Sequence, residues 1–169
     1  MPGGRAARDA AFVAFVEQAS PSLLRTAWLL VGDHHAAHEL VQAALVKTYV
    51  AWPRVRPESA LAYARRILVN ERTDTWRRRR GEVVVDEVPE PSRPADPTAS
   101  TDERDRLVRL LATLPEQQRR VVVLRYYTDL SEQTTAELLG VSVGAVKSAA
   151  HRGLATLRER LATSGGGER

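Results

Sequence analysis

Cysteine is absent from the 169 residues. The chain therefore has no disulfides and no thiolate metal sites, which fits a reducing cytoplasm. No apolar run approaches the roughly 20 residues that a membrane span needs, so no membrane insertion is expected. The segment from Met1 to Ala11 lacks the apolar core of a signal peptide. Catalytic signatures are missing as well. There is no Gly-rich phosphate loop, no G-x-S-x-G turn and no pair of carboxylates at a recognisable catalytic spacing. No internal repeat is found, and low complexity is confined to an arginine run and a Gly-rich tail. Arginine far outnumbers lysine.

Charge is present in blocks. Residues 61–80 hold seven basic side chains against two acidic ones, and residues 104–169 hold eleven against seven. Between them, residues 81–103 hold one basic side chain against seven acidic ones. Basic blocks attract phosphates by charge and by counterion release. Each block alone is equally compatible with a solvated arginine face.

The acidic stretch divides the chain. VVVDEVPEPSRPADPTAST, residues 83–101, carries four prolines and no aromatic side chain. Proline lacks an amide donor and fixes its own φ, so helix and interior strand are both disfavoured and an extended linker is predicted. The linker is either a plain tether or a segment that lies along a basic channel.

Before the linker, apolar residues recur at helical spacing. Phe12, Phe15, Val16 and Ala19 make one stripe, and Leu23, Leu24, Ala27, Trp28 and Val31 make the next. Ala37, Leu40, Val41, Ala44, Leu45, Thr48 and Tyr49 make a third, and Leu61, Ala64, Ile67 and Leu68 a fourth. Pro21 is placed to open the second helix and Gly32 to end it, with Pro53 and Pro57 bracketing a loop. After the linker, Leu107, Leu110, Leu111 and Leu114 share a helix. Pro115 then starts another, running through Val121, Val122, Leu124 and Arg125 to Tyr126. The expected architecture is all-α: a bundle of three or four helices over residues 10–80, a flexible acidic linker over 81–103, and a second helical domain over 104–162.

The most specific signal is LSEQTTAELLGVSVGAVKSAAHRGLATLR, residues 130–158. Two short helices meet at a tight turn, Leu139-Gly140-Val141-Ser142. Ser131 and Ser142 are N-caps, and Gly140 can take the positive φ that ends the first helix. Ala136 is small enough to let the helices cross closely. Val143, Val146, Ala150, Leu154 and Leu157 pack the second helix inward. Its outer face then carries Ser142, Gly144, Lys147, Ser148, His151 and Arg152. A helix N-terminus with small and basic residues can enter the major groove and touch phosphates. The plainer alternative is an αα-hairpin with a basic face.

At this point the chain resembles the extracytoplasmic-function sigma factors, in particular an actinobacterial branch with LLRTAWLLVGD, RILVN and WRRRR runs. LPEQQRRVVVLRYYTDLS resembles the stretch before that family's helix-turn-helix, and VGAVKSAAHRGLATLR its recognition helix. LLRTAWLLVGDHHAAHELVQAALVKTYVAW resembles the helix that docks on RNA polymerase. YARRILVNERTDTWRRRR resembles the helix that reads and melts the minus-ten element. The resemblance covers about residues 10–80 and 104–161. It implies an initiation factor without cofactor or catalytic residues. Its partners would be promoter DNA and core RNA polymerase, through the beta-prime clamp helices and the beta flap, with an anti-sigma factor as a further candidate.

On the docking helix the inward stripe leaves Glu39, Gln42, Val46 and Lys47 on the other face, with part of Leu40 and Val41 at the edge, and the same resemblance assigns Glu39, Leu40, Val41 and Gln42 to polymerase docking. It assigns Arg65, Arg66, Asn70, Arg72, Trp76 and Arg77 to the minus-ten element and its melting, and the α-helical face named above to the upstream element. Asparagine can bond a base edge, and tryptophan can stack on an unpaired base. Trp76 is equally compatible with a core position. Departures from the family are His38-Glu39 where Glu-Asp is usual, Thr135 and Ala150 where a large aliphatic is usual, and Ala149 where Arg is frequent.

Two rival functions differ in class. A polymerase-independent helix-turn-helix regulator would need a dimerisation or sensory surface, and the N-terminal half offers no clear one. A metal-dependent hydrolase would draw on His34 and His38, four residues apart on a helix. Position 35 is His rather than the Glu of H-E-x-x-H, and no third ligand is evident, so no metal is expected.

Overall fold

A computed structural model describes residues 3–81 and 99–165; side chains are described for 3–72 and 102–165. The linker residues 82–98, the Val83–Val85 run among them, lie outside the described residues, as do the side chains of Trp76 and Arg77. The described residues are helical, with turns between helices and no strand. The chain divides into two compact units, and each is described by itself.

The N-terminal unit is built on α1 (Gly3–Val31) as far as Ala27, α2 (His34–Ala51) and α3 (Ala60–Gly81), and residues 28–33 group with the C-terminal unit. Its buried side chains include Ala19, Leu23 and Ala27 from α1, Ala37, Leu40, Val41 and Ala44 from α2, and Ala60, Ala64, Leu68 and Val69 from α3. The many alanines let helix backbones approach closely. Pro53 lies second in a short 3-10 turn, Trp52–Arg54, and Pro57 starts another, Pro57–Ser59, as their fixed φ favours. Arg56 before Pro57 is extended, with ψ 136°, because the proline ring excludes the helical region there.

One expectation fails at Pro21. It lies inside α1 and does not open a second helix. The missing amide frees one carbonyl of the preceding turn, yet the apolar stripe continues on both sides of the proline, with Ala19 and Leu23 both buried. Burial along one continuous face outweighs the lost bond. Ser20 adds a local bond, its Oγ donating to the Val16 carbonyl at 2.5 Å. Gly32 does end α1, at φ +76°. Two stripe members also turn outward: Leu61 is 36% and Tyr49 is 42% exposed. Tyr49 joins Phe12, Phe15 and Trp52 in an aromatic cluster, with Phe12 4.9 Å from Tyr49 and 5.1 Å from Trp52. The Tyr49 hydroxyl donates to Asp9 at 2.9 Å, and this bond, reinforced by the carboxylate's charge, raises the phenol above its ordinary pKa.

The C-terminal unit contains α4 (Ala99–Ala112), α5 (Glu116–Val122), α6 (Glu132–Leu139) and α7 (Val143–Gly165). Residues 99–103, assigned by composition to the linker, are the first turns of α4. The last proline of that stretch is Pro97, and Asp102 in the first turn complements the helix dipole. The inward residues near α4 are Val108, Leu111 and Leu114, while Leu107 is 40% exposed. Arg119 closes the turn after α4. Its Nε donates to Leu111 O at 3.0 Å, and its Nη2 donates to the Ala112 and Leu114 carbonyls at 3.2 and 3.3 Å. These satisfy acceptors that a helix end leaves open.

The helix after Pro115 remains α-helical only to Val122 and continues as a π-helical turn over Val123–Tyr127. Thr128 N–H donates to Val123 O at 3.1 Å in that wider register. Leucine periodicity does not report such a register change. Val121, Ala136, Val146, Ala149 and Ala150 form the core between α5, α6 and α7, with Leu139, Val141 and Val143 packed on it. Ala149 is buried, so a small residue suits this position.

Thr135 is fully buried in α6, and its Oγ1 has no hydrogen-bond partner. Valine has the same shape without the hydroxyl. Thr135→Val is therefore expected to stabilise the chain by about 1 kcal/mol, because a buried unsatisfied hydroxyl costs about 1–3 kcal/mol. Chemical denaturation of the two proteins checks it, and a variant no more stable than the parent would refute it.

Candidate nucleic-acid interface

The helix-turn-helix is assembled by local chemistry. Ser131 Oγ accepts from Thr134 N–H at 3.0 Å and starts α6. Gly140 ends α6 in the left-handed region, φ 65° and ψ 36°, where a Cβ is disfavoured. Gly140 N–H donates to Glu137 O and Val141 N–H to Ala136 O, the paired bonds of a Schellman turn. Val141 then packs on the Ala136 cluster, as that turn requires. Ser142 Oγ accepts from Ala145 N–H at 3.0 Å and starts α7. Only Gly140, Val141 and Ser142 separate the two helices, so their axes must cross sharply.

The second helix is not short: α7 runs 23 residues. Its inward face is Val146, Ala149, Ala150 and Gly153, all buried. Ser142, Gly144, Lys147, Ser148, His151 and Arg152 are all exposed on the opposite side, in the N-terminal half. The structure thus brings these six together on one polar surface. Gly153 was not singled out by sequence. It faces Val122 and Gln118 of α5, and a Cβ there would stand 2.9 Å from Val122 Cγ2. A glycine amid good helix formers is the signal that could have found it.

Lys147 is not isolated on this surface. Its Nζ is 3.7 Å from Glu132 Oε2 at the start of α6, and Glu132 Oε1 is 3.9 Å from Arg125 Nη2.

On α3, Arg66 and Asn70 are exposed, and Arg65 and Arg72 are half-buried. Tyr63, 37% exposed, precedes Arg66 by three residues and Asn70 by seven, so the three share a helical face. The sequence carries a signal for it, since Tyr63 stands outside the apolar stripe of Leu61, Ala64, Ile67 and Leu68.

On α2, Glu39 and Gln42 are exposed, but Leu40 and Val41 are buried, at 8% and 4%. Their stripe faces the bundle, so they support the helix and offer little surface. Glu39 and Gln42 instead line a shallow open depression with Ala43, Val46 and Lys47. Val46 is 59% exposed, and Lys47 Nζ is ion-paired with Glu71 on α3. His38 Nδ1 donates to the His34 carbonyl at 2.8 Å, and the His35 ring faces Glu39 at 3.3 Å. Among the described residues no group of three or more His, Asp or Glu could hold a metal, and no helix is long and apolar enough to cross a membrane.

A capped helix-turn-helix with a basic outer face, in a chain that also carries a separate helical unit, defines a DNA-binding protein. Two family models match: Sigma-70 region 2 over residues 15–82 and Sigma-70, region 4 over residues 104–157. The RNA polymerase sigma-E factors of Streptomyces avermitilis and Streptomyces coelicolor are each 42% identical over 152 residues. These alignments span 89% of this chain and 84% and 85% of the relatives. The sigma factor RpoE, solved with the anti-sigma factor NepR from Bartonella quintana, matches with TM-score 0.67 and 25% identity, covering 89% of this chain and 96% of that one. CnrH, solved with the cytosolic domain of CnrY, shares the fold at TM-score 0.65 and 24% identity, covering 92% and 90%. The chain belongs to the extracytoplasmic-function family of RNA polymerase sigma factors, in its actinobacterial-type branch. It directs core RNA polymerase to promoters and binds promoter DNA. Sigma factors are initiation factors rather than enzymes.

Proposed function

We propose that the outer face of α7 reads the upstream promoter element through Ser142, Gly144, Lys147, Ser148, His151 and Arg152, while α3 reads and opens the minus-ten element. One observation carries this reading: the Ser142 cap and the five α7 residues are exposed together at the N-terminal half of a helix whose other face is buried. On α3 the working surface is Tyr63, Arg66 and Asn70, with Arg65 and Arg72 at its edge and Trp76 and Arg77 further along the chain. An arginine holds the strand backbone, an asparagine bonds a base edge, and a tyrosine stacks on an unpaired base. Opening DNA needs no hydrolysis when binding to the unstacked bases offsets their unpairing.

Residues 10–80 and 104–162 serve as the two recognition domains in this reading, with 81–103 between them. Joining two weak binders raises effective concentration, so the pair binds tightly without further contacts. Core polymerase docks on the exposed face of α2, through Glu39, Gln42, Val46 and Lys47, with Leu40 and Val41 supporting it from beneath. The beta-prime clamp helices are the partner there and the beta flap the partner of the C-terminal unit. The protein acts in the cytoplasm and catalyses no reaction of its own. An anti-sigma factor is its regulator, by likeness to the RpoE–NepR pair.

Run-off transcription with core polymerase tests the reading. Tyr63→Ala/Asn70→Ala holoenzyme is expected to form closed complexes yet lose most transcription from duplex promoters, and to recover it on a pre-melted template. Loss of a stacking contact worth about 1–3 kcal/mol lowers opening roughly 5- to 150-fold. Undiminished permanganate reactivity of promoter thymines in that variant would assign melting to other residues.

A further inference from the structure

Glu132 is absorbed by neither the fold nor the assigned contacts. It follows the Ser131 cap in the first turn of α6 and lies between two cations from different elements. Its Oε1 is 3.9 Å from Arg125 Nη2, and its Oε2 is 3.7 Å from Lys147 Nζ. Arg125 is itself held. Its Nη1 donates to the Leu130 carbonyl at 2.5 Å, and its guanidinium lies 5.7 Å from the centre of the Tyr126 ring. The order is backbone carbonyl, guanidinium, carboxylate, ammonium. It runs from the π-helical turn through α6 to the recognition helix. Exposure rises along it, with side chains 23% accessible at Arg125, 38% at Glu132 and 63% at Lys147. The fixed end is the arginine and the free end is the lysine.

We infer that Glu132 is a specificity-determining residue, which holds Lys147 back from indiscriminate phosphate binding and so raises the ratio of promoter to non-promoter affinity. This rests on the reading that the α7 face contacts DNA. A lysine on a flexible stem binds any phosphate as a point charge. Non-specific affinity is almost wholly of this kind. A carboxylate within 4 Å of the ammonium neutralises part of its charge. The same carboxylate repels any phosphate that approaches the lysine. Both effects weaken phosphate contact, on which non-promoter binding rests almost wholly. Base-edge contacts depend on placement rather than on net charge, and an ammonium anchored at one end of its reach is better placed. At 3.7 Å the Lys147 pair is loose enough to be exchanged for a base edge when the correct sequence is present.

The test uses holoenzyme with promoter duplex and with non-promoter duplex of equal length, titrated over a range of salt. Glu132→Gln keeps the shape and removes the charge. It is expected to tighten non-promoter binding about 3- to 10-fold and to steepen the logarithmic salt slope by roughly one, since one more cation meets phosphate. The promoter to non-promoter ratio falls accordingly. In a Lys147→Ala background the same substitution is expected to leave the salt slope unchanged and to tighten non-promoter binding by a smaller factor. The inference is overturned if Glu132→Gln leaves ratio and slope unchanged while Lys147→Ala still weakens promoter binding. It is equally overturned if Glu132→Gln weakens both duplexes in proportion, the result of a merely structural role. If Lys147→Ala alone alters no DNA affinity, the reading of the α7 face fails and the inference with it.

Discussion

Replacing both Lys147 and Arg152 with alanine is expected to lower promoter affinity on the order of 100-fold. The two side chains are exposed on the outer face of α7, five residues apart, and neither carries core packing. Each contributes about 1–3 kcal/mol if it contacts a base edge, and every 1.4 kcal/mol is tenfold in affinity. The single variants separate the two kinds of contact. Loss of a base contact relaxes sequence preference at one position. Loss of a phosphate contact weakens all duplexes alike and lowers the salt slope by roughly one. Fluorescence anisotropy of holoenzyme on labelled duplexes, over a salt series, reads both quantities. Unchanged affinity and slope in the double variant would remove α7 from the promoter interface.

The second large effect is on stability. Gly153 faces α5 so closely that an added Cβ would stand 2.9 Å from Val122 Cγ2, 3.5 Å from Gln118 Cβ and 3.7 Å from Gln118 O. Valine in a helix is confined almost to one χ1 rotamer, so Val122 cannot swing away. Two effects oppose each other in Gly153→Ala. Alanine improves helix propensity by about 1 kcal/mol, whereas overpacking costs about 1–3 kcal/mol. The clash is with a stiff neighbour in a buried crossing, so the net is a loss of about 1 kcal/mol. Gly153→Val adds two more methyl groups and loses the propensity gain, and is expected to cost about 3 kcal/mol or more. Urea denaturation of the full chain, followed by circular dichroism, measures both. An alanine variant more stable than the parent would show that α5 and α7 can move apart freely. A shift of these helices would also tilt the recognition surface, so the valine variant is expected to lose promoter binding with stability.

Legibility differed by the range of the forces involved. The helix-turn-helix was readable because its start, turn and end depend on neighbours within four residues. Ser131, Gly140 and Ser142 bond to backbone groups beside them, and local spacing specifies those bonds. The outer face of α7 followed from the same periodicity. The face of α2 was readable only in part, since Leu40 and Val41 sit at the margin of its apolar stripe, where burial depends on what lies opposite. Pro21 misled for a related reason. Proline is a local signal for a helix start, but the stripe that runs through it is buried, and burial won.

The sequence by itself determined the all-α class, the capped turn, the polar character of α7 and the family, because each is written in short-range spacing or in motif order. Only the tertiary structure decided that α1 is continuous, that Gly153 marks a close crossing and that Tyr63 faces outward with Arg66 and Asn70. It alone set Glu132 between Arg125 and Lys147, since these belong to a turn and two helices whose meeting depends on packing. Contacts of that kind join residues far apart in the chain, and no local pattern encodes which of them will touch.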